Sequence, residues 1–252
     1  AADGIGWITA DNPNRMNAYT AAMWEALPGL LRRAEADASV RVVVLRGAGA
    51  RAFSAGADIS EFETSRTGDA AKIYDRLNHQ AFAALSECPK PTIAMVHGHC
   101  LGGGLALALC CDLRIVDEPS QFAIPAAKLG IGYNPRWVRP LLAVVAPPRA
   151  KEILFTGRRF TSAQALAMGL VNAVHATDAL LPTVEALAGE IAGNAPMTVL
   201  AAKRTIDELT ARPEHPDTAT LDAMVEACFT SADYAEGRRD FLEKRKPTFT
   251  GK

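Results

Sequence analysis

Two glycine-containing turns could together bind a negatively charged oxygen. The first, FSAGAD, spans residues 53–58, and the second, HCLGGG, spans residues 99–104; each follows an apolar run of a type that forms buried strands. Glycine lets backbone N–H groups face a ligand without obstruction, and the helix predicted after the second turn adds unpaired donors and partial positive charge. Two such N–H groups that converge would stabilise an enolate or a tetrahedral oxyanion, each by typically about 10²–10³ in rate.

Alternation of strands and helices would position both turns in an α/β core. Apolar runs predict strands at residues 4–9, 40–45, 92–96 and 113–116. Helical periodicity predicts helices at 20–36, 69–87 and 102–111, and then at 148–155, 162–168, 178–192, 196–209, 218–231 and 234–243. We therefore predict an α/β core over residues 1–195, followed by a C-terminal helical subdomain over residues 196–252.

Composition sets limits on partners and compartment. The 252-residue chain has a net charge of −1, which argues against a broad basic surface for nucleic acid. No apolar run approaches the roughly 20 residues that a membrane span requires. Five cysteines occur without a CxxC pair or a zinc-like Cys/His spacing. We expect reduced thiols, no metal site and a cytoplasmic protein.

Further motifs extend the two turns into a pattern that covers nearly the whole chain. They are CDLRI at 111–115, QF at 121–122, LGI at 129–131, LFTG at 154–157, AMGLV at 167–171 and FLEKR at 241–245. In order and spacing the chain closely resembles the crotonase (enoyl-CoA hydratase/isomerase) superfamily. The resemblance implies a ββα-spiral core with a C-terminal helical trimerisation subdomain, and homotrimers or homohexamers. It also implies acyl-CoA thioester substrates, with coenzyme A as part of the substrate and no separate cofactor.

The resemblance assigns roles to individual positions. The backbone N–H groups of Ala57 and Gly103 would form the oxyanion hole. Lys244 matches a basic position that approaches a CoA phosphate, sometimes from a neighbouring subunit; the alternative is a lysine on a solvated helix face. The loop that would line the path of the coenzyme contributes Ala55, Asp58, Ile59 and Ser60. Asp58 could instead brace this loop.

Two departures from the family pattern concern its catalytic glutamates. The first glutamate lies three residues after the oxyanion glycine, where this chain has Ala106; the second follows a proline, where this chain has Ala126 after Pro125. Hydration needs one group to activate water and another to handle the proton at the α-carbon, each worth about 10²–10⁴ in rate. Since alanine does neither, we predict inefficient hydration and an intact oxyanion hole.

Three polar residues are candidates to replace the glutamates. His79 matches the histidine base of the superfamily's aromatic-acyl-CoA dehalogenases, but Asn134 stands where those enzymes carry a nucleophilic aspartate. Tyr133 and Asn134 also resemble a Tyr-Asn pair in its methylmalonyl-CoA decarboxylases, which carry histidine at the position of Ala57. Alternatively, His79 is a surface or core histidine and Tyr133 fills a pocket wall. Both matches are therefore incomplete.

Other polar residues and one competing motif receive less weight. Glu61 is a possible substitute carboxylate, and His97 and His99 flank Gly98 beside the second turn. The sequence GAGARA at 47–52 fits a dinucleotide-binding fingerprint, which requires a helix to begin there. Irregular, glycine-broken chain follows instead, and this argues against a dinucleotide site.

Three functional hypotheses remain open from the sequence. The first is an acyl-CoA enzyme that stabilises an enolate and is not an efficient conventional hydratase. The second is a catalytically silent acyl-CoA-binding protein, which Ala106 and Ala126 favour. The polar set of His79, Tyr133 and Asn134 favours the first hypothesis. The third is a decarboxylase- or hydrolase-type member of the superfamily.

Overall fold

A five-stranded parallel sheet forms the centre of the protein. The computed structural model describes residues 3–61 and 68–252. In spatial order the strands are β1 (Ile5–Ala10), β2 (Val42–Gly47), β4 (Thr92–Val96), β6 (Leu113–Asp117) and β9 (Ala173–His175). The central strands β2 and β4 are buried almost throughout, which explains why their apolar runs could be recognised in the sequence.

A second sheet of very short strands was not predicted. Its order is β3 (Ala52–Ser54), β5 (His99–Leu101), β7 (Gln121–Ala123) and β8 (Phe160–Thr161). The strands β3, β5 and β7 pair in parallel, and each follows a strand of the first sheet along the chain. This repeated step between sheets is the ββα spiral expected from the family resemblance. Two or three residues are too few to show a periodic pattern.

The chain passes between the two sheets at glycines that have no room for a side chain. A Cβ on Gly47 would lie 2.3 Å from the Ala52 carbonyl oxygen, and a Cβ on Gly98 would lie 2.1 Å from the Arg51 carbonyl oxygen. Real Cβ atoms do not approach backbone oxygen this closely, so both bends require glycine. These bends bring β3 and β5 together and set the direction of the two turns that follow them.

Ten α-helices surround the sheets in the described part of the chain. They are α1 (Ala21–Ala36), α2 (Gly68–Ser86), α3 (Gly103–Cys110), α4 (Pro135–Val144), α5 (Pro147–Thr156), α6 (Ser162–Ala167), α7 (Thr177–Ala192), α8 (Pro196–Ala211), α9 (Thr218–Phe229) and α10 (Ala232–Glu243). Of these, α4 was not predicted, because it contains Pro135 and Pro140; Pro135 occupies the start of the helix, where no N–H is needed. Within this same part, no helix is long and apolar enough to cross a membrane.

Helix α3 is buried along nearly its whole length, which explains its uniformly apolar sequence. Every residue from 104 to 110 is buried. A Cβ on Gly104 would lie 2.5 Å from the Ser54 carbonyl oxygen, so α3 packs directly against β3. Its N-terminus, with Gly103 as first residue, is thereby fixed beside the first glycine turn.

The C-terminal helices are attached to the sheet by a largely buried ion pair. Lys203 Nζ in α8 lies 2.7 Å from Asp112 Oδ2, and the same oxygen accepts a hydrogen bond of 2.7 Å from the Thr92 N–H at the start of β4. The Lys203 side chain is only 7% exposed. Helix α8 begins at Pro196, the position at which the boundary between core and C-terminal subdomain was expected. The division into two units stays a prediction.

Candidate active site

Both glycine turns open into one apolar cleft. Its volume is about 720 Å³, part of it continuous with solvent. The turns, α2, α3, α4 and the short 3-10 helix Pro125–Leu129 contribute to its walls. The described lining residues are Ala55, Ala57, Ile59, Asn78, Phe82, Gly102, Gly103, Ala106, Ile124, Pro125, Ala126, Leu129, Ile131, Tyr133 and Trp137. None of these described lining residues is Asp, Glu or His, so they offer a ligand in the cleft neither a carboxylate nor an imidazole.

Two backbone N–H groups at the wall of this cleft have no hydrogen-bond partner among the described residues. Tyr19 N–H donates to the Gly56 carbonyl at 2.7 Å, and Asp58 N–H donates to the Tyr19 carbonyl at 2.9 Å. This parallel bridge uses the residues on either side of Ala57 and leaves the Ala57 N–H directed away from Tyr19. Gly103 is the first residue of α3, where N–H groups have no partner in the helix. Neither N–H donates to another described residue.

The two N–H groups lie side by side because glycine allows the turns to approach. A Cβ on Gly103 would lie 3.6 Å from the Ala57 nitrogen. A Cβ on Gly56, whose φ is +99°, would lie only 2.9 Å from the Gly103 nitrogen. Gly102 precedes α3 with φ +51° and ψ −120°, a conformation that other residues rarely adopt. The arrangement could donate two hydrogen bonds to one oxygen atom.

Ala106 and Ala126 face the same cleft. Ala106 lies in α3, three residues after Gly103, and Ala126 lies in the 3-10 helix Pro125–Leu129. Their exposed fractions are 4% and 9%, and both line the cleft. Two methyl groups therefore stand where the family resemblance implies acid–base side chains.

Tyr133 lines the cleft and carries an isolated polar atom. Its hydroxyl is buried and has no hydrogen-bond partner in the described residues, while its ring packs edge-on against Trp137 at 5.5 Å between centroids. Burial, and to a lesser degree the neighbouring Cys110, raises the pKa of the Tyr133 phenol well above its ordinary value of 10.0. The hydroxyl is therefore neutral at physiological pH and suited to donate a hydrogen bond.

Asn78 is a second polar group of the cleft, and sequence analysis missed it. It is buried in α2, and its side-chain nitrogen donates to the Tyr74 carbonyl at 2.9 Å. A polar residue in an amphipathic helix is ordinarily a surface residue, and only its position beside His79 in the sequence hinted at a site.

The structure does not bring His79 or Asn134 into the cleft. Both line a neighbouring depression, together with Asp75, Arg76, Arg136 and Trp137. Asn134 precedes α4, and its side-chain oxygen accepts a hydrogen bond of 3.0 Å from the Arg136 N–H. Asn134 is thus the N-cap of α4, a structural role. His79 is not among the described lining residues of the cleft, whereas the adjacent Asn78 of α2 is.

The loop over residues 55–60 is braced by Asp58. The Asp58 carboxylate accepts hydrogen bonds from the Ser60 hydroxyl at 2.7 Å and the Ser60 N–H at 3.0 Å. The hydroxyl contact is the largest cause that lowers the pKa of Asp58 below its ordinary value. Asp58 does not line the cleft, whereas Ala55 and Ile59 do. These contacts favour the bracing role for Asp58 over proton transfer.

The remaining candidates lie outside the described wall of the cleft. The Glu61 carboxylate accepts a hydrogen bond of 2.8 Å from the Ala21 N–H at the start of α1, so it supports a helix end. Burial lowers the pKa of both His97 and His99, and each ring has one buried nitrogen without a described partner. Lys244 is exposed beyond α10 with φ +55°. Lys244 is not among the described residues that line the cleft.

Neither a dinucleotide-type turn nor a cluster of metal ligands is found in the described residues. Strand β2 ends at Gly47 and β3 begins at Ala52, so no helix starts at the GAGARA motif. Within residues 3–61 and 68–252, no three side chains of His, Cys, Asp or Glu lie close enough to hold a metal ion.

Comparison with solved structures supports the same fold across the whole chain. An enoyl-CoA hydratase/carnithine racemase from Magnetospirillum magneticum is 39% identical and superposes with a TM-score of 0.95, covering 99% of this chain and 93% of that one. An enoyl-CoA hydratase from Bacillus anthracis is 30% identical and superposes with a TM-score of 0.91, covering 99% of this chain and 96% of that one.

Sequence comparison finds named relatives that match over nearly the whole chain. A short-chain-enoyl-CoA hydratase from Clostridium acetobutylicum is 32% identical over 242 residues, 96% of this chain and 92% of that protein. A crotonyl-CoA hydratase from Syntrophomonas wolfei is 32% identical over 243 residues, 96% of this chain and 93% of that protein. Residues 1–252 match the family described as enoyl-CoA hydratase/isomerase. The chain therefore belongs to the enoyl-CoA hydratase/isomerase family, within the crotonase superfamily.

Proposed function

We propose that this protein is an acyl-CoA thioester enzyme that stabilises an enolate, and that it is not an efficient conventional hydratase. The observation that carries the proposal is the pair of adjacent N–H groups of Ala57 and Gly103 at an apolar cleft, neither of which donates to a described residue. Relatives named short-chain-enoyl-CoA hydratase and crotonyl-CoA hydratase support the substrate class.

The chemistry proposed for this pair is electrostatic. The thioester carbonyl oxygen accepts both hydrogen bonds, and these bonds strengthen as negative charge develops on the oxygen in the enolate. Donors that are fixed before reaction, in a cleft from which water is displaced, are worth typically about 10²–10³ in rate each. Glycine turns and the buried helix α3 hold both donors in place, so no rearrangement is needed during the reaction.

Tyr133 is the proposed contact for a second polar group on the acyl chain. A buried hydroxyl without a partner costs about 1–3 kcal/mol, and a substrate that offers an acceptor recovers this free energy. The raised pKa keeps the phenol protonated, so Tyr133 donates a hydrogen bond and does not act as a general base. This favours substrates with a second polar group over simple straight-chain enoyl-CoA.

The coenzyme and the assembly are proposed from the family membership. The loop with Ala55, Asp58, Ile59 and Ser60 would line the path of coenzyme A, with Lys244 near a phosphate. No cofactor beyond the coenzyme A of the substrate is proposed, and the compartment is the cytoplasm. Exposed apolar side chains in the C-terminal helices support a homotrimer or homohexamer: Phe229 is 61%, Phe241 84% and Leu242 81% exposed. Light scattering at micromolar protein concentration should give the mass of a trimer or a hexamer.

A second candidate function is a binding protein that retains the acyl-CoA cleft without turnover. The methyl groups of Ala106 and Ala126 favour it, because the described cleft wall carries no carboxylate. A decarboxylase- or hydrolase-type activity is the third, and the buried Tyr133 hydroxyl favours it, since a substrate carboxylate could be its partner.

A turnover screen with a parallel binding measurement separates these functions. The purified protein is tested against crotonyl-CoA, malonyl-type CoA esters and aryl-CoA thioesters, and binding of each is measured by calorimetry. The proposal predicts binding of acyl-CoA and turnover of a thioester with a second polar group, with little hydration of crotonyl-CoA. Binding without turnover of any ester would favour the binding protein, and absence of binding would contradict all three functions.

A further inference from the structure

A polar depression lies next to the acyl cleft. Its volume is about 490 Å³, part of it open to solvent, and helices α2 and α4 form its sides. Where the cleft is almost wholly apolar, the depression is lined by charged and polar groups: Asp75, Arg76, His79, Asn134, Arg136 and Trp137.

The described residues that line the depression carry more positive than negative charge. Arg76 and Arg136 are exposed, and neither forms an ion pair with another residue in the described ranges. Asp75 is the one carboxylate in the described lining, so two guanidinium groups face a single negative charge there. His79 adds ring nitrogens that can donate a hydrogen bond. An anion that enters would meet donors on both α2 and α4.

The depression and the acyl cleft share one described lining residue. Trp137 lines both spaces. On α2, Asn78 faces the cleft and the adjacent His79 faces the depression; before α4, Tyr133 faces the cleft and the adjacent Asn134 faces the depression. An acyl chain that runs past Tyr133 and the edge of Trp137 would therefore bring its far end to the two arginines.

We propose that this depression binds a carboxylate at the far end of the acyl group, so that the preferred substrates are CoA thioesters of dicarboxylic acids. The inference rests on the proposed acyl-CoA function and names the class of its acyl group. Guanidinium groups suit this role, because their planar donors match the two oxygens of a carboxylate. An apolar cleft beside a cationic depression, with Trp137 lining both, matches a chain of methylene groups that ends in a charge.

Matched thioesters test the assignment. Glutaryl-CoA and valeryl-CoA have acyl groups of equal length and differ in a terminal carboxylate or methyl group, as do adipyl-CoA and hexanoyl-CoA. Their dissociation constants are measured by calorimetry at about 0.15 M salt, where exposed charges are screened as in the cell. The variants are Arg76→Gln, Arg136→Gln and the double variant. Arg139→Gln, on α4 but outside the lining of the depression, is the matched control.

The inference predicts that at least one dicarboxylic thioester binds about tenfold more tightly than its matched partner. A charge-assisted hydrogen bond at a solvated site contributes about this factor to affinity. Each arginine variant should reduce this preference about threefold and the double variant should abolish it, with valeryl-CoA affinity unchanged and Arg139→Gln resembling the parent protein. Equal affinities within both pairs, or a preference that survives the double variant, would overturn the inference alone. Binding of inorganic phosphate without a dicarboxylate preference would also overturn it, whereas failure of every thioester to bind would overturn the proposed function as well.

Discussion

A Cβ placed on Gly56 would lie 2.9 Å from the backbone nitrogen of Gly103. The first glycine turn is thus in contact with the N-terminus of α3, and Gly56 at φ +99° is the residue that permits it. This contact holds the N–H groups of Ala57 and Gly103 at one end of the cleft. It also gives a direct way to disturb their spacing without touching either residue.

Replacement of Gly56 by alanine should destabilise the protein and impair its chemistry. The positive φ and the collision with Gly103 together should lower the free energy of unfolding by about 2–4 kcal/mol, as urea denaturation would measure. Gly49→Ala is the control, because Gly49 also has a positive φ, +69°, but no atom lies within 4 Å of its added Cβ. It should cost about 1 kcal/mol. Equal losses for the two variants would show that the contact between the turns is unimportant.

Substitution of Tyr133 by phenylalanine should lower activity without lowering stability. Removal of a buried hydroxyl without a partner should leave the free energy of unfolding unchanged or raise it by about 1 kcal/mol. On the preferred substrate, kcat should fall about tenfold or more, with CoA affinity nearly unchanged. Tyr234→Phe, at an exposed position of α10, is the control and should change neither quantity. A Tyr133→Phe enzyme with full kcat would remove Tyr133 from the proposed site.

Hydration of crotonyl-CoA should be very weak in the parent protein and should respond to restored carboxylates. We expect the parent kcat to fall below the ordinary enzyme range of about 1–10³ s⁻¹, because Ala106 and Ala126 supply neither proton acceptor nor donor. The double variant Ala106→Glu/Ala126→Glu should increase hydration, and each single variant should gain less. Parent turnover in the ordinary range would mean that other groups perform the proton transfers. Failure of the double variant would mean that the cleft itself has diverged.

The ion pair between Lys203 and Asp112 should contribute measurably to stability. Lys203→Met leaves a partly buried carboxylate whose remaining described partners lie in β4, and should lower the free energy of unfolding by about 2 kcal/mol. Glu208 in α8 forms a comparable but more exposed pair with Arg212, the residue directly after the helix. Arg212→Met removes this pair and should cost less than about 0.5 kcal/mol. Similar effects of the two variants would contradict a special role for Lys203 in attaching α8.

Sequence patterns predicted the helices and strands that have continuous apolar runs and missed the shortest strands. The strands β2 and β4 and the helix α3 were expected within one or two residues, because burial on all sides gives continuous apolar runs. The second sheet was missed because β3, β5 and β7 have only three residues each. These strands are defined by pairing with chain that is distant in sequence, for which a single sequence carries no local signal.

The glycines made the backbone turns of the site predictable from the sequence. The directions in which its side chains point were less predictable. Gly56 and Gly103 marked the two turns, and the structure brings those turns together. The direction of α2 was not predictable: a rotation of one residue on a helix, about 100°, decides whether Asn78 or His79 faces the cleft. For the same reason Asn134 was a candidate for chemistry, although its side chain caps α4.

Removal of the Gly103 N–H tests the central claim most directly. Gly103 is the first residue of α3, a position that accepts proline, so Gly103→Pro deletes the proposed donor while the helix is retained. Gly103→Ala keeps the N–H, and its Cβ would meet its nearest neighbours at 3.5 Å, an ordinary contact distance. With the best thioester from the turnover screen, Gly103→Pro should lose about 10²–10³ in kcat while Gly103→Ala stays within a few fold, both with parent-like circular dichroism. Equal turnover by a folded Gly103→Pro enzyme would contradict the oxyanion-hole account.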